Sequence, residues 1–108
     1  MSQIKFSDGK KEYTLEYTLR TAAIAERNGL NVQELDTNPA FQIPILVNGA
    51  FQAHHKGMTR KQTDELYKEI TKKNDFISAL VEMYAEAVNA LVDTEDESDE
   101  GNPNWTRS

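Results

Sequence analysis

The chain has 108 residues, 38% of them hydrophobic, with a formal net charge of −6 and no cysteine. That length holds one domain, and the missing thiol excludes a disulfide framework, a thiolate nucleophile and a cysteine metal site. No stretch approaches the roughly 18 apolar residues of a membrane span, and the opening Met1-Ser2-Gln3-Ile4-Lys5 has no apolar signal core, which predicts an intracellular protein.

The charge is unevenly placed. From Asp93 onward there are six acids against the single base Arg107, a net −5, which leaves −1 over residues 1–92. The expected domain is therefore near neutral and the acidity belongs to the end of the chain. Nucleic-acid affinity comes from Lys and Arg neutralising phosphates, and no basic face is evident.

In chain order, Ile4 and Phe6 alternate with polar neighbours, as do Tyr13, Leu15 and Tyr17, the period of half-buried strands. Asp8-Gly9 between them signals a reverse turn, so the two runs predict a hairpin whose apolar face must lie on helices or on a partner. Its outer edge is expected to be free for strand addition. Leu19, Ala22, Ala23 and Ala25 then follow helical spacing, with Thr18 as cap and Gly29 as the left-handed stop. After a connector over Leu30–Thr37, Asn38-Pro39 opens a strongly apolar helix through Phe41, Ile43, Ile45, Leu46, Val47, Ala50 and Phe51. Pro44 inside it implies either a kink or a later start, and Gly57 ends it. Being apolar nearly all round, this segment is the candidate central helix.

Thr59 and Gln62 fit a capping box for a third helix carrying Leu66, Tyr67 and Ile70. Asn74-Asp75 is expected to cap the last helix, with an apolar stripe of Phe76, Ile77, Leu80, Val81, Tyr84, Val88, Leu91 and Val92. From Asp93 the composition cannot build a core, which predicts a disordered acidic tail over 93–108 after a single domain over 1–92. The expected fold is α+β and mostly α, an N-terminal β-hairpin packed on a bundle of about four helices.

Catalytic patterns are missing. Adjacent His54 and His55 point about 100° apart on a helix and cannot converge on one ion, so they read as last-turn residues facing the helix dipole. Glu82 and Glu86 sit on the polar side of the last helix, Asp64-Glu65 in a first turn, and Ser7-Asp8-Gly9 is a turn without the following helix of a phosphate loop. No nucleophile–base pair can be assembled, so neither an enzyme nor a cofactor or metal site is expected. What remains is apolar side chain in excess of what a small domain hides, on the last stripe and on the Phe41–Phe51 helix. The expected protein-binding residues are Phe76, Leu80, Tyr84 and Val88 on the last stripe and Ile4 and Phe6 on the hairpin. Trp105 is a lone aromatic in the acidic end.

The run Ile4-Lys5-Phe6-Ser7-Asp8-Gly9-Lys10 followed by Glu12-Tyr13-Thr14-Leu15-Glu16-Tyr17 resembles the opening of tail assembly chaperones of long-tailed bacteriophages infecting Gram-positive bacteria. Ile24-Ala25-Glu26-Arg27-Asn28-Gly29-Leu30 is similar too, as are Gly49-Ala50-Phe51 with His54-His55-Lys56-Gly57-Met58-Thr59, and Glu82-Met83-Tyr84-Ala85-Glu86-Ala87-Val88. The likeness spans residues 4–92 without large gaps. It implies a cytoplasmic protein of the bacterial host that coats and solubilises the tape measure protein. Such a protein would help recruit tail tube subunits, act in many copies as a homo-oligomer, and be missing from the finished virion. It also implies no catalytic residue; a frameshifted longer product, known in the family, would extend the acidic end. The rival expectations are a structural head–tail or tail-completion protein and a small acidic regulator of a host protein.

Overall fold

The computed structural model describes residues 3–90, which fold into a two-stranded antiparallel hairpin followed by four α-helices. The expected disordered tail over 93–108 and the stripe residues Leu91 and Val92 lie outside the described residues.

Strands β1 (Ile4–Ser7) and β2 (Glu12–Leu15) pair in the register Ile4↔Leu15 and Phe6↔Tyr13. The turn closes because the Asp8 carboxylate accepts from the amides of Lys10 at 2.9 Å and Lys11 at 2.8 Å, while Gly9 takes φ +92°. Those two backbone donors hold the Asp8 carboxyl below the usual carboxylate range. Period two then buries Tyr13 and Leu15 on one face.

Helix α1 (Leu19–Arg27) begins at a reciprocal cap in which Thr18 and Thr21 each accept the other's amide, at 3.1 and 2.9 Å. It ends in a Schellman motif, with Leu30 N–H on the Ala25 carbonyl at 2.9 Å, Gly29 N–H on Glu26 at 3.0 Å, and Gly29 at φ +109°. A 3₁₀ turn, Val32–Glu34, leads into α2 (Pro39–Gln52). Gln42 is buried and joins the two segments, donating to the Gly29 carbonyl at 3.2 Å and accepting from Asn31 N–H at 2.7 Å.

Helix α2 runs unbroken through Pro44. The carbonyl orphaned by that proline belongs to Ala40, which is exposed, so the missing bond leaves no buried unpaired group. Ile45, Leu46, Val47, Ala50 and Phe51 are all buried, which makes α2 the central helix, as its composition predicts. Its first turn is different: Pro39, Ala40 and Phe41 are exposed.

The helix stops at Gln52, earlier than Gly57, and its last turns are tied to the hairpin and to the next loop. Asn48 and Gln52 both donate to the Met58 carbonyl, at 3.2 and 2.9 Å. Helix α3 (Arg60–Tyr67) starts at the expected Thr59–Gln62 capping box. Helix α4 (Lys73–Asn89) starts differently from the expectation: its cap is Lys72 at φ +53°, with Asn74 and Asp75 already in the first turn. Lys73 explains the junction, because its ammonium donates to the Ile70 carbonyl at 2.7 Å and closes the end of α3.

The buried line of α4 is Leu80, Met83 and Ala87, flanked by half-buried Phe76, Ile77, Val81, Tyr84 and Val88. One core results, with α2 at its centre between α1, α3, α4 and β2.

Candidate functional site

The six residues expected to bind partners separate in the structure. Leu80 is wholly buried and is core. Tyr84 turns toward α1, its ring edge-on to Tyr17 at 5.6 Å and its hydroxyl donating to the Glu26 carboxylate. Burial and that carboxylate push its hydroxyl pKa up to about 12. Val88 packs against the core one turn further along. Only Ile4, Phe6 and Phe76 come together, around a groove of about 400 Å³ between β1 and the α3–α4 junction, with Ile70 beside them.

The hairpin edge is half closed. Thr14 N–H in β2 and Glu16 N–H just past its end are both taken, the first by His55 Nε2 in the turn after α2 at 3.0 Å, the second by the Ala50 carbonyl of α2 at 3.0 Å. The expected strand-addition edge is therefore not β2. The edge left open among the described residues is β1, where the alternation of the antiparallel ladder turns Lys5 and Ser7 backbone groups outward.

The same geometry corrects the reading of the two histidines as helix-dipole residues. His54 Nε2 lies 2.7 Å from Glu16 Oε1, and Gln3 donates to the same oxygen at 3.0 Å. His54 and then Gln3 lower the Glu16 pKa. His55 accepts from a backbone N–H and must be neutral to do so; burial, then Lys11 and His54, lower its pKa. Both rings fasten the end of the hairpin to the turn that follows α2. Among the described residues no group of three or more His, Asp or Glu could hold a metal, and no helix is long and apolar enough to cross a membrane.

The larger apolar surface lies where no site residue was expected, around the exposed first turns of α2. A groove of about 440 Å³ runs between α2 and α3 over Pro39, Ala40, Ile43, Pro44 and Val47, with Tyr67 as its far wall. A second, of about 430 Å³, continues toward α4 over Leu35 and Ile77. The two share Pro39, Ile43 and Tyr67, so they form one trough crossing the α2 N-terminus, mainly apolar toward α3 and mixed toward α4, where Asp36, Asn74 and Ser78 join the lining. Tyr67 is held there by Phe76 at 6.1 Å between ring centres and by the Lys73 ammonium at 5.5 Å, and burial raises its hydroxyl pKa. The charged groups Asp36, Asp64 and Lys68 also line it. Such a trough can take a ridge of apolar side chains from a helix. The signal in the sequence was the all-round apolarity of α2, which a single helix neighbour cannot cover, rather than the stripe of α4.

No curated protein and no solved structure matches the chain. The family model of the domain of unknown function DUF5055 matches residues 1–108, and the chain belongs to that family.

Proposed function

We propose that this protein is a tail assembly chaperone of a long-tailed bacteriophage or prophage, acting in the bacterial cytoplasm and without catalysis. Its client is the tape measure protein, a long helical chain whose apolar ridges would otherwise aggregate. The observation that carries this reading is the open, mainly apolar groove over Pro39, Ala40, Ile43, Pro44 and Val47 between α2 and α3, which adjoins a more polar one toward α4. The resemblance over residues 4–92 points the same way. In this mechanism many copies sit along the client, each covering one apolar ridge. The β1 edge, with Ile4, Phe6 and Phe76 beside it, supplies a second contact, to a neighbouring copy or to the tail tube protein.

The test is co-expression of the chain with a phage tape measure protein, followed by affinity capture and sizing. The expected result is a soluble tape measure that elutes with several copies of this chain. A tape measure left insoluble beside an inert monomer would sink the proposal. Gel analysis of purified virions separates the chaperone from a structural head–tail protein, because the chaperone is absent from the particle.

A further inference from the structure

We propose that the acidic segment Asp93–Glu100 of this chain docks, within the same molecule, across a groove between α1 and the end of α2. This goes beyond the proposed function and does not depend on it. The groove has a volume of about 440 Å³ and is lined by Arg20, Ile24 and Asn28 from α1 and by Gln52, Lys56 and Met58 from the α2–α3 region. Arg20 and Lys56 make no ion pair among the described residues, and no acid lines the groove. Ile24, 38% exposed, and half-buried Met58 give the floor an apolar part.

The occupant follows from charge and reach. Residues 93–100 hold six acids and no base, against a chain that is nearly neutral elsewhere. The grooves over Pro39–Val47, toward α4 and beside β1 each carry an acid, Asp64, Asp36 or Glu69, whereas this one carries Arg20 and Lys56 without an acid among the described residues. Helix α4 packs on α1 from the flank of Glu26, to which Tyr84 bonds. Ile24, two positions away, faces the groove on nearly the opposite flank, at about 200° by helical geometry. Helix α4 and the groove share α1 as a neighbour, and the eight residues 93–100 span up to about 26 Å when extended, more than the roughly 10 Å width of a helix. Carboxylates then meet a guanidinium and an ammonium, while the aliphatic parts of the acids lie on Ile24 and Met58.

The experiment compares amide NMR spectra of the full chain with those of a full-length variant whose six acids are neutralised, D93N/E95Q/D96N/E97Q/D99N/E100Q. The amides of Thr21, Ile24, Lys56 and Met58 are expected to differ between the two at low salt. The difference should vanish at about 1 M salt, where the Debye length falls to about 3 Å. In the exposed-residue variant R20E/K56E, the amides of 93–100 are expected to shift to their high-salt positions. Identical spectra at low salt would overturn the proposal. So would differences that fade on dilution, since the acidic segment would then be seated on another copy.

Discussion

The tightest constraint in the molecule is a glycine under a tyrosine. Tyr17 is 2% exposed and donates its hydroxyl to the Leu46 carbonyl at 2.6 Å, with its ring laid across Gly49. A methyl at Gly49 would collide with that hydroxyl and lie 3.1 Å from Cζ, so Gly49→Ala loses stability even though alanine favours helix by about 1 kcal/mol. The expected net cost is about 2 kcal/mol, in the range of overpacked cores. Tyr17→Phe removes one hydrogen bond and costs about 1 kcal/mol. The double variant should be more stable than the sum of the singles predicts, because deleting the hydroxyl relieves the collision. Urea unfolding of the four proteins checks this, and additive losses would contradict it. Neither partner was legible in the sequence: Gly49 stands in a helical run where its absence of side chain reads as a weak point. Its reason is a contact from thirty-two positions earlier in the chain.

Among the elements, the hairpin was readable and its attachment was not. Period two over Ile4–Phe6 and Tyr13–Leu15, with Asp8-Gly9 between, specifies β1 and β2 because the pattern is local, while Tyr17, which continues the alternation, lies two residues past the end of β2. What holds β2 down is the pair of histidines after α2, a contact across 41 positions for Thr14 and His55 that no spacing rule conveys. It makes a pH-dependent prediction. The folded state lowers the His55 pKa below 6.5, so the native protein binds that proton less readily than the unfolded chain. The stabilisation is complete above the unfolded value and is lost as the pH falls through the folded one, where His55 would become a donor facing the donor of Thr14. Glu16, also lowered, acts in the same direction but in the more acid carboxylate window. Melting temperature should therefore fall by several degrees between about pH 7.5 and pH 5.5, for a hydrogen bond worth about 1 kcal/mol in a domain of this size. His55→Gln, whose amide oxygen can accept the same N–H without titrating, should flatten that slope; an unchanged slope would show that His55 does not carry it. Helix α4 gives the matching lesson in packing. The series Phe76, Leu80, Tyr84, Val88 steps by four and drifts round the helix, whereas the buried line passes through Met83 and Ala87. A small alanine and a flexible methionine signal burial weakly beside tyrosine and valine.

For the molecule as a whole, the hairpin-plus-four-helices fold follows from local patterns, turn residues and caps that agree with one another. The surface left open does not, because it depends on how far α3 and α4 stand from the first turns of α2. The apolar excess of α2 was visible in its composition, and the trough of Pro39, Ile43 and Tyr67 is where that excess stays uncovered. Ala40 lets this surface be tested without disturbing the core, since it lines the trough, is exposed, and lies in the first turn of α2. A glutamate there suits the positive end of the helix dipole, so Ala40→Glu should fold at least as stably as the natural chain while placing a charge in the apolar floor. The decisive measurement is capture of a co-expressed tape measure protein by the natural chain and by Ala40→Glu, with melting temperatures recorded for both. Unchanged melting and at least a tenfold drop in captured client are expected, the effect of about 1.4 kcal/mol of lost binding. Equal capture by the two proteins would contradict it.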